Sequence, residues 1–186
     1  MKWIGFFIFI WSGLCTAGDL PGASLYQMES KWVDQDGKAF VLKDFQGKPT
    51  LLSMVYLSCT YICPTIISEV QALEDKLSKK AKENLQIVLV SFDPVRDTPA
   101  VLKSYAVSRK LDLSRWKLIT NNSESKIREL AVATNFKFRK DDKGEFTHSY
   151  MILLLDQKGV IQSRLDGANL DHKPMIDTIE NLSKSK

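Results

Sequence analysis

The sequence predicts a single α/β domain built on a mixed β-sheet. Apolar runs of strand length recur along the chain, segments with helical apolar spacing alternate with them, and a β-hairpin followed by a helix closes the chain. The 186 residues are 44% hydrophobic and 26% charged, which is typical of a soluble globular protein with one core. Repeats and low-complexity tracts are absent from the sequence, so we expect one domain over residues 25–184.

Continuous apolar runs predict most of the strands. Residues 32–42 are expected to form a small hairpin around a turn that contains Gly37. Runs that are apolar at nearly every position are typical of buried strands, because both faces of a central strand are covered. Three such runs cover residues 50–57, 85–92 and 149–156. A short strand is expected over residues 116–120, and a hairpin partner over residues 160–165 closes the sheet.

Helical spacing separates these strands. After the first buried run, one apolar stripe recurs at steps of four, three and four residues, at Ile66, Val70, Leu73 and Leu77. Further helices are expected over residues 98–110 and 123–134 and from about residue 174. The order of elements suits a thioredoxin-like fold with an N-terminal β-hairpin extension and an inserted helix.

The N-terminal segment resembles an export signal. Lys2 precedes an apolar run over residues 3–14, which is shorter than the about 20 apolar residues that span a bilayer. Small residues up to Ala17 then match a cleavage site, so we predict that residues 1–17 are a cleaved signal peptide and that residues 18–24 are a flexible lead. The alternative is an uncleaved membrane anchor.

Charge and surface pattern limit the classes of partner. The net charge is +4, and the charges are scattered rather than gathered in a basic stripe with aromatic residues. This pattern argues against nucleic-acid binding. Because no exposed apolar stripe is evident, we expect a monomer.

Two cysteines follow the first buried strand, at the junction with the next helix. After cleavage, Cys59 and Cys63 are the only cysteines, and in an oxidising compartment such a pair is a disulfide, a redox couple or a metal site. A stabilising disulfide would gain little here, because it closes a very short loop. Two thiolates at one point form a soft site that suits Cu(I) or Zn.

Two further residues, Asp93 and His148, are candidates for this site. Asp93 follows the second buried strand, where it could orient a metal ligand or only form a turn before proline. Asp97 is expected to belong to a helix start. His148 precedes the third apolar strand, and imidazole is the common partner of thiolates in copper and zinc sites. His172 is expected to face solvent at a helix start and not to bind metal.

With these motifs, the chain resembles the Sco/SenC family of copper-binding proteins. The resemblance rests on residues 34–49 (DQDGKAFVLKDFQGKP), the Cys59-to-Pro64 motif, residues 91–99 (SFDPVRDTP), and His148 ahead of an apolar strand that ends in Asp156. It covers about residues 25–184. It implies a thioredoxin-like fold and copper, as Cu(I) or Cu(II), held by Cys59, Cys63 and His148.

The resemblance also implies a function and a location. It implies delivery of copper to the binuclear centre of cytochrome c oxidase subunit II. We therefore expect a metallochaperone rather than an enzyme, with that subunit or another copper acceptor as its partner. We further expect that the copper-free form carries a Cys59–Cys63 disulfide, which a thiol reductant must open before copper binds. The expected location is the bacterial periplasm or cell envelope, with membrane association as a second possibility. Thr60 and Thr147 stand where many relatives have Pro and Asp.

Two other functions fit the same cysteines. An exported thiol–disulfide oxidoreductase acting on partner cysteines would use Cys59 and Cys63 but would not need His148 as a ligand. A redox or copper sensor that signals through protein contacts is the third hypothesis.

Overall fold

The computed structural model describes residues 20–58, 62–167 and 171–184. Its strands are β1 (Lys31–Asp34), β2 (Ala39–Val41), β3 (Thr50–Val55), β4 (Gln86–Ser91), β5 (Trp116–Thr120), β6 (Phe138–Lys140), β7 (Phe146–His148), β8 (Ile152–Leu155) and β9 (Ile161–Leu165). Its α-helices are α1 (Ile62–Asp75), α2 (Lys79–Asn84), α3 (Pro99–Ser108), α4 (Glu124–Ala133) and α5 (Lys173–Leu182). The predicted signal peptide lies outside the described residues.

Among the described residues, seven strands form one mixed sheet in the order β2-β1-β5-β4-β3-β8-β9. β3, β4 and β5 are parallel to one another, and β8 pairs antiparallel with β3. β6 and β7 form a separate two-stranded sheet. The parallel strands at the centre therefore end at the same edge of the sheet, where loops that follow β3 and β4 lie close together.

The N-terminal hairpin adds an antiparallel edge to this sheet. In its turn, Asp34 Oδ1 accepts hydrogen bonds from the N–H groups of Asp36 and Lys38, each at 2.9 Å. Gly37 completes the turn with φ +78°, a conformation that favours glycine. β1 then pairs with β5, which confirms the predicted N-terminal extension.

The core forms where the sequence is apolar without interruption. β3 is buried at every position, and β4 at every position after its first residue. The predicted stripe of α1 is also buried, at Ile66, Val70, Leu73 and Leu77. At the start of α3, the Thr98 hydroxyl accepts from the Val101 N–H and Pro99 takes the first turn, as expected.

The predicted α/β class is confirmed, and the differences are local. The helix α2 and the β6–β7 hairpin were not expected, and β8 is shorter than the predicted strand over residues 149–156. Within the predicted flexible lead, Ser24 is buried and donates to the Lys158 carbonyl, so the packed domain includes it. Among the described residues, no helix is both long and apolar enough to cross a membrane.

Candidate metal centre

The end of β3 leads into the segment that carries the cysteines. Tyr56 and Leu57 follow β3 directly, and α1 begins at Ile62. Cys59 lies outside the described residues, and of Cys63 only the backbone is described, in the first turn of α1. The N-terminus of a helix favours thiolates, because unpaired N–H groups and the helix dipole stabilise negative charge there.

A buried carboxylate, Asp97, holds the backbone just before the cysteines. Its Oδ2 accepts hydrogen bonds from the Leu57 N–H at 3.0 Å and from the Ser91 hydroxyl at 2.6 Å. Asp97 is 1% exposed, and burial raises the pKa of its carboxyl above the ordinary value. Sequence reasoning assigned Asp97 only to a helix start. The sequence did contain a clue to this role, because Asp97 lies with Asp93 in the loop that follows a buried strand.

His148 lies on a hairpin, which corrects its predicted position at the start of the third apolar strand. It is the last residue of β7 and pairs with Phe138 of β6, whereas β8 begins at Ile152. Asp141 stabilises the hairpin turn, because its Oδ1 accepts two backbone N–H groups, each at 2.9 Å. The loop after β4 and this hairpin together flank the end of β3.

Aromatic rings hold the His148 imidazole in place. Its ring centroid lies 5.7 Å from that of Tyr56, 5.2 Å from that of Phe92 and 6.0 Å from that of Phe136. We call the full set of packed rings the aromatic cluster: Tyr56, Phe92, Phe136, Phe138, Phe146 and His148. Because Tyr56 follows β3 and is three residues before Cys59, the cluster brings the imidazole to the end of β3, the strand that precedes the cysteines.

The hydrogen bonding of His148 determines which ring nitrogen can bind a metal. Nδ1 lies 2.8 Å from the Ser149 carbonyl oxygen. A carbonyl only accepts hydrogen bonds, so Nδ1 carries the proton in this arrangement. In the neutral ring the lone pair is then on Nε2, the atom that would coordinate a metal.

Asp93 is buried and paired, but its described partner is not His148. Its carboxylate forms an ion pair with Arg96, and its N–H donates to the Ser91 hydroxyl at 3.1 Å. Arg96 in turn contacts the β6–β7 hairpin, at the Gly144 carbonyl and Glu145. Asp93 is therefore connected to the hairpin of His148 through Arg96.

His172 is not solvent-facing, which corrects the expectation from the sequence. Its side chain is 10% exposed and forms an ion pair or hydrogen bond with Glu69 of α1. The sequence pattern gave no indication of this partner, because Glu69 and His172 are more than one hundred residues apart. Within the described part of the chain, no three His, Cys, Asp or Glu side chains are grouped closely enough to hold a metal ion.

The described residues bring His148 to the end of β3 and connect Asp93 to the hairpin of His148. Cys59, the first predicted thiolate ligand, lies outside the described residues. The donor set expected from the sequence, two thiolates and one imidazole, fits a soft metal ion such as Cu(I).

Known proteins resemble this chain in both sequence and structure. It is 26% identical to the SCO1 protein homolog of Bacillus subtilis over 185 residues, which cover 96% of this chain and 94% of that protein. A SCO1/SenC family lipoprotein from Bacillus anthracis superposes with a TM-score of 0.75 at 27% identity, covering 83% of this chain and 92% of the other.

Two further solved structures bear on the chemistry. BsSco, described with a disulfide switch and as a member of the Sco family of cytochrome c oxidase assembly proteins, has a TM-score of 0.71 at 27% identity, covering 84% of this chain and 92% of that one. Yeast Sco1 with copper bound has a TM-score of 0.68 at 26% identity, covering 84% of this chain and 87% of that one. The SCO1/SenC family model matches residues 19–184, and the chain belongs to this family.

Proposed function

We propose that this chain binds one copper ion through Cys59, Cys63 and His148 and delivers it during the assembly of cytochrome c oxidase. The recipient would be the binuclear copper centre of subunit II or another copper acceptor. The observation that carries the proposal is the packing of the His148 imidazole on Tyr56, three residues before Cys59. Copper is the metal present in the yeast Sco1 structure, which supports this choice of ion.

The proposed transfer is an exchange of ligands. Cys59 and Cys63 bind copper as thiolates, and Nε2 of a neutral His148 completes the site. A Cys or His of the recipient would then replace these ligands one at a time. The Cys59–Cys63 disulfide would be the copper-free form, and a thiol reductant would supply the two electrons and two protons that restore both thiols.

The remaining expectations belong to the same proposal. Asp93 would act indirectly, through Arg96, rather than by contact with the metal. Residues 1–17 would direct export to the periplasm or cell envelope and be removed, leaving a short lead before the domain, which includes Ser24. The lipoprotein from Bacillus anthracis supports an envelope location for the family.

A thiol–disulfide oxidoreductase is the second candidate. The disulfide switch described for BsSco favours cysteine redox chemistry at this site. Such an enzyme would exchange disulfides between Cys59, Cys63 and a partner's cysteines, and His148 would not be required as a ligand. The two functions therefore differ in their dependence on His148.

The first prediction is that copper affinity depends on His148 and not on the other histidine. The reduced protein would be titrated with Cu(I) and Cu(II), alongside His148→Ala and the control His172→Ala. We expect His148→Ala to lower the affinity by at least about tenfold, since loss of even an indirect metal contact has effects of this size. The control should retain the affinity of the unchanged protein.

The opposite result would favour the enzyme. Equal copper affinity of His148→Ala and the unchanged protein would contradict the proposal. Rapid reduction of insulin disulfides, at the same rate with and without His148, would then identify the oxidoreductase.

A further inference from the structure

Arg96 connects three separate segments around the candidate metal centre. Its guanidinium forms an ion pair with the buried Asp93 in the loop after β4. Its Nη2 donates to the Gly144 carbonyl at 2.8 Å, and Nη1 lies 3.4 Å from Glu145 Oε1, both at the tip of the β6–β7 hairpin. The guanidinium carbon also lies 5.6 Å from the ring centroid of Tyr56, which follows β3.

The hairpin depends on such side-chain contacts for its position. In the described residues, β6 and β7 pair only with each other and form no ladder with the seven-stranded sheet. A two-stranded hairpin is marginally stable by itself, so its side chains must anchor it. The aromatic cluster holds the end that carries His148, and Arg96 holds the opposite end, at Gly144 and Glu145.

The chemistry of arginine suits this role. A guanidinium presents donors on three nitrogens in a rigid plane, and here each nitrogen has a different acceptor: Asp93, Gly144 or Glu145. The planar group also lies over the rings of Tyr56 and Phe146, at 5.6 and 5.7 Å. The Tyr56 hydroxyl donates to Glu145 at 3.4 Å, which adds a further link between the end of β3 and the hairpin.

We propose that Arg96 is a positioning residue, which fixes the β6–β7 hairpin so that His148 faces the end of β3. The copper-related part of this inference rests on the proposed function, because it takes His148 as a copper ligand. Arg96 acts through the hairpin and does not itself contact the metal. The arrangement also explains why Asp93 is buried beside a cation, since the pair forms the base of the connection.

Two variants and one control test this role. Arg96→Ala removes every contact, and Arg96→Lys keeps a cation for Asp93 but gathers all donors on one nitrogen. The matched control is Arg128→Ala. Arg128 also lies over a hairpin ring, 4.9 Å from the Phe138 centroid, but its hydrogen bonds of 2.6 and 3.0 Å join Glu124 within α4.

The first measurement is hydrogen exchange of backbone amides 138–148 in the copper-free protein. We expect at least about tenfold faster exchange there in Arg96→Ala, and little change in Arg128→Ala, because loss of anchoring allows local opening. Arg96→Lys should exchange faster than the unchanged protein as well. If Arg96→Ala does not fold, Arg96→Lys decides the question. Unchanged exchange in the folded variants would overturn the proposal.

The second measurement is copper affinity, with and without His148. We expect Arg96→Ala to lower the affinity by about tenfold, within the range for residues that orient metal ligands. In the His148→Ala background the same substitution should have no further effect. An equal loss in both backgrounds would overturn a role through His148. If His148→Ala alone binds copper normally, the proposed function fails, and the exchange measurement still tests the anchoring by Arg96.

Discussion

At the residue scale, the candidate centre depends on which atoms of each side chain are already bonded. The Nδ1 atom of His148 is hydrogen-bonded to the Ser149 carbonyl, so the lone pair of the neutral ring is on Nε2. One oxygen of Asp97 holds the backbone before Cys59, whereas its other oxygen, Oδ1, has no hydrogen-bond partner in the described part of the chain. The contribution of a buried carboxyl group to stability depends on its protonation state, because the charged form is costly to bury when one of its oxygens has no hydrogen bond.

We therefore predict a pH-dependent contribution of Asp97 to stability. Burial raises the folded-state pKa of Asp97 above 3.8, so the folded protein holds this proton more tightly than the unfolded chain. The contribution is present below pH 3.8 and is lost as the pH rises through the folded-state pKa. Relative to Asp97→Asn, the unchanged protein should lose free energy of unfolding as the pH rises across this interval.

Urea denaturation from about pH 4 to pH 7 would measure this difference. Asp142→Asn is the control, because Asp142 is exposed in the hairpin turn. A difference between the Asp97 variant and the unchanged protein that does not vary with pH would contradict the assignment.

At the element scale, short turns determine how strands meet. The turn between β8 and β9 contains Gly159 at φ +79°, and a Cβ there would lie 2.5 Å from the Tyr26 ring. The Tyr26 hydroxyl shares a hydrogen bond with the Thr50 hydroxyl at the start of β3, and burial raises its pKa to about 12. The turn therefore packs directly on a ring that is fixed to the central sheet.

Substitution of Gly159 should destabilise the protein more than substitution of Gly37. Both glycines have positive φ, but a Cβ on Gly37 would meet no atom within 4 Å. We expect Gly37→Ala to lower the free energy of unfolding by about 1–2 kcal/mol, the strain of a left-handed residue. Gly159→Ala should lose about 1–3 kcal/mol more from overpacking against Tyr26. Equal losses in chemical denaturation would show that the ring moves aside freely.

At the scale of the whole molecule, the helix that carries Cys63 is fixed to the sheet through a buried carboxylate. Glu74, near the end of α1, forms an ion pair with Arg115 and accepts a hydrogen bond from Trp116 Nε1 at 3.0 Å. Trp116 begins β5, so the contact connects α1 to a strand of the parallel core. Removal of Glu74 would leave the Trp116 indole N–H without this acceptor, and Arg115 with only Asp112 and the Lys82 carbonyl.

We predict that Glu74→Ala lowers the free energy of unfolding by about 3 kcal/mol, because it leaves a half-buried cation and a buried indole N–H without this acceptor. The control is Glu83→Ala, which breaks an exposed pair with Lys79 and should change stability by less than about 0.5 kcal/mol. Equilibrium denaturation of both variants checks the prediction. A loss below about 1 kcal/mol for Glu74→Ala would mean that Asp112 and the Lys82 carbonyl, the other partners of Arg115, are sufficient.

Elements with strong periodicity could be predicted, and elements made by long-range contacts could not. The runs that became β3 and β4 are apolar at nearly every position, and the stripe of α1 repeats at helical spacing. The β6–β7 hairpin was missed because its strands have only three residues each and are flanked by charged residues. Its stability comes from rings contributed by distant parts of the chain.

The sequence by itself determined the fold class, the family resemblance and the candidate ligands Cys59, Cys63 and His148. Apolar periodicity and short motifs depend only on residues that are close together in the sequence, so they can be recognised without the structure. Only the tertiary structure decided that His148 ends a hairpin, that Asp97 holds the Leu57 backbone, that Arg96 bridges three segments and that His172 is paired with Glu69. Each of these depends on partners brought together by folding, and residue spacing along the chain does not encode which distant side chains will meet.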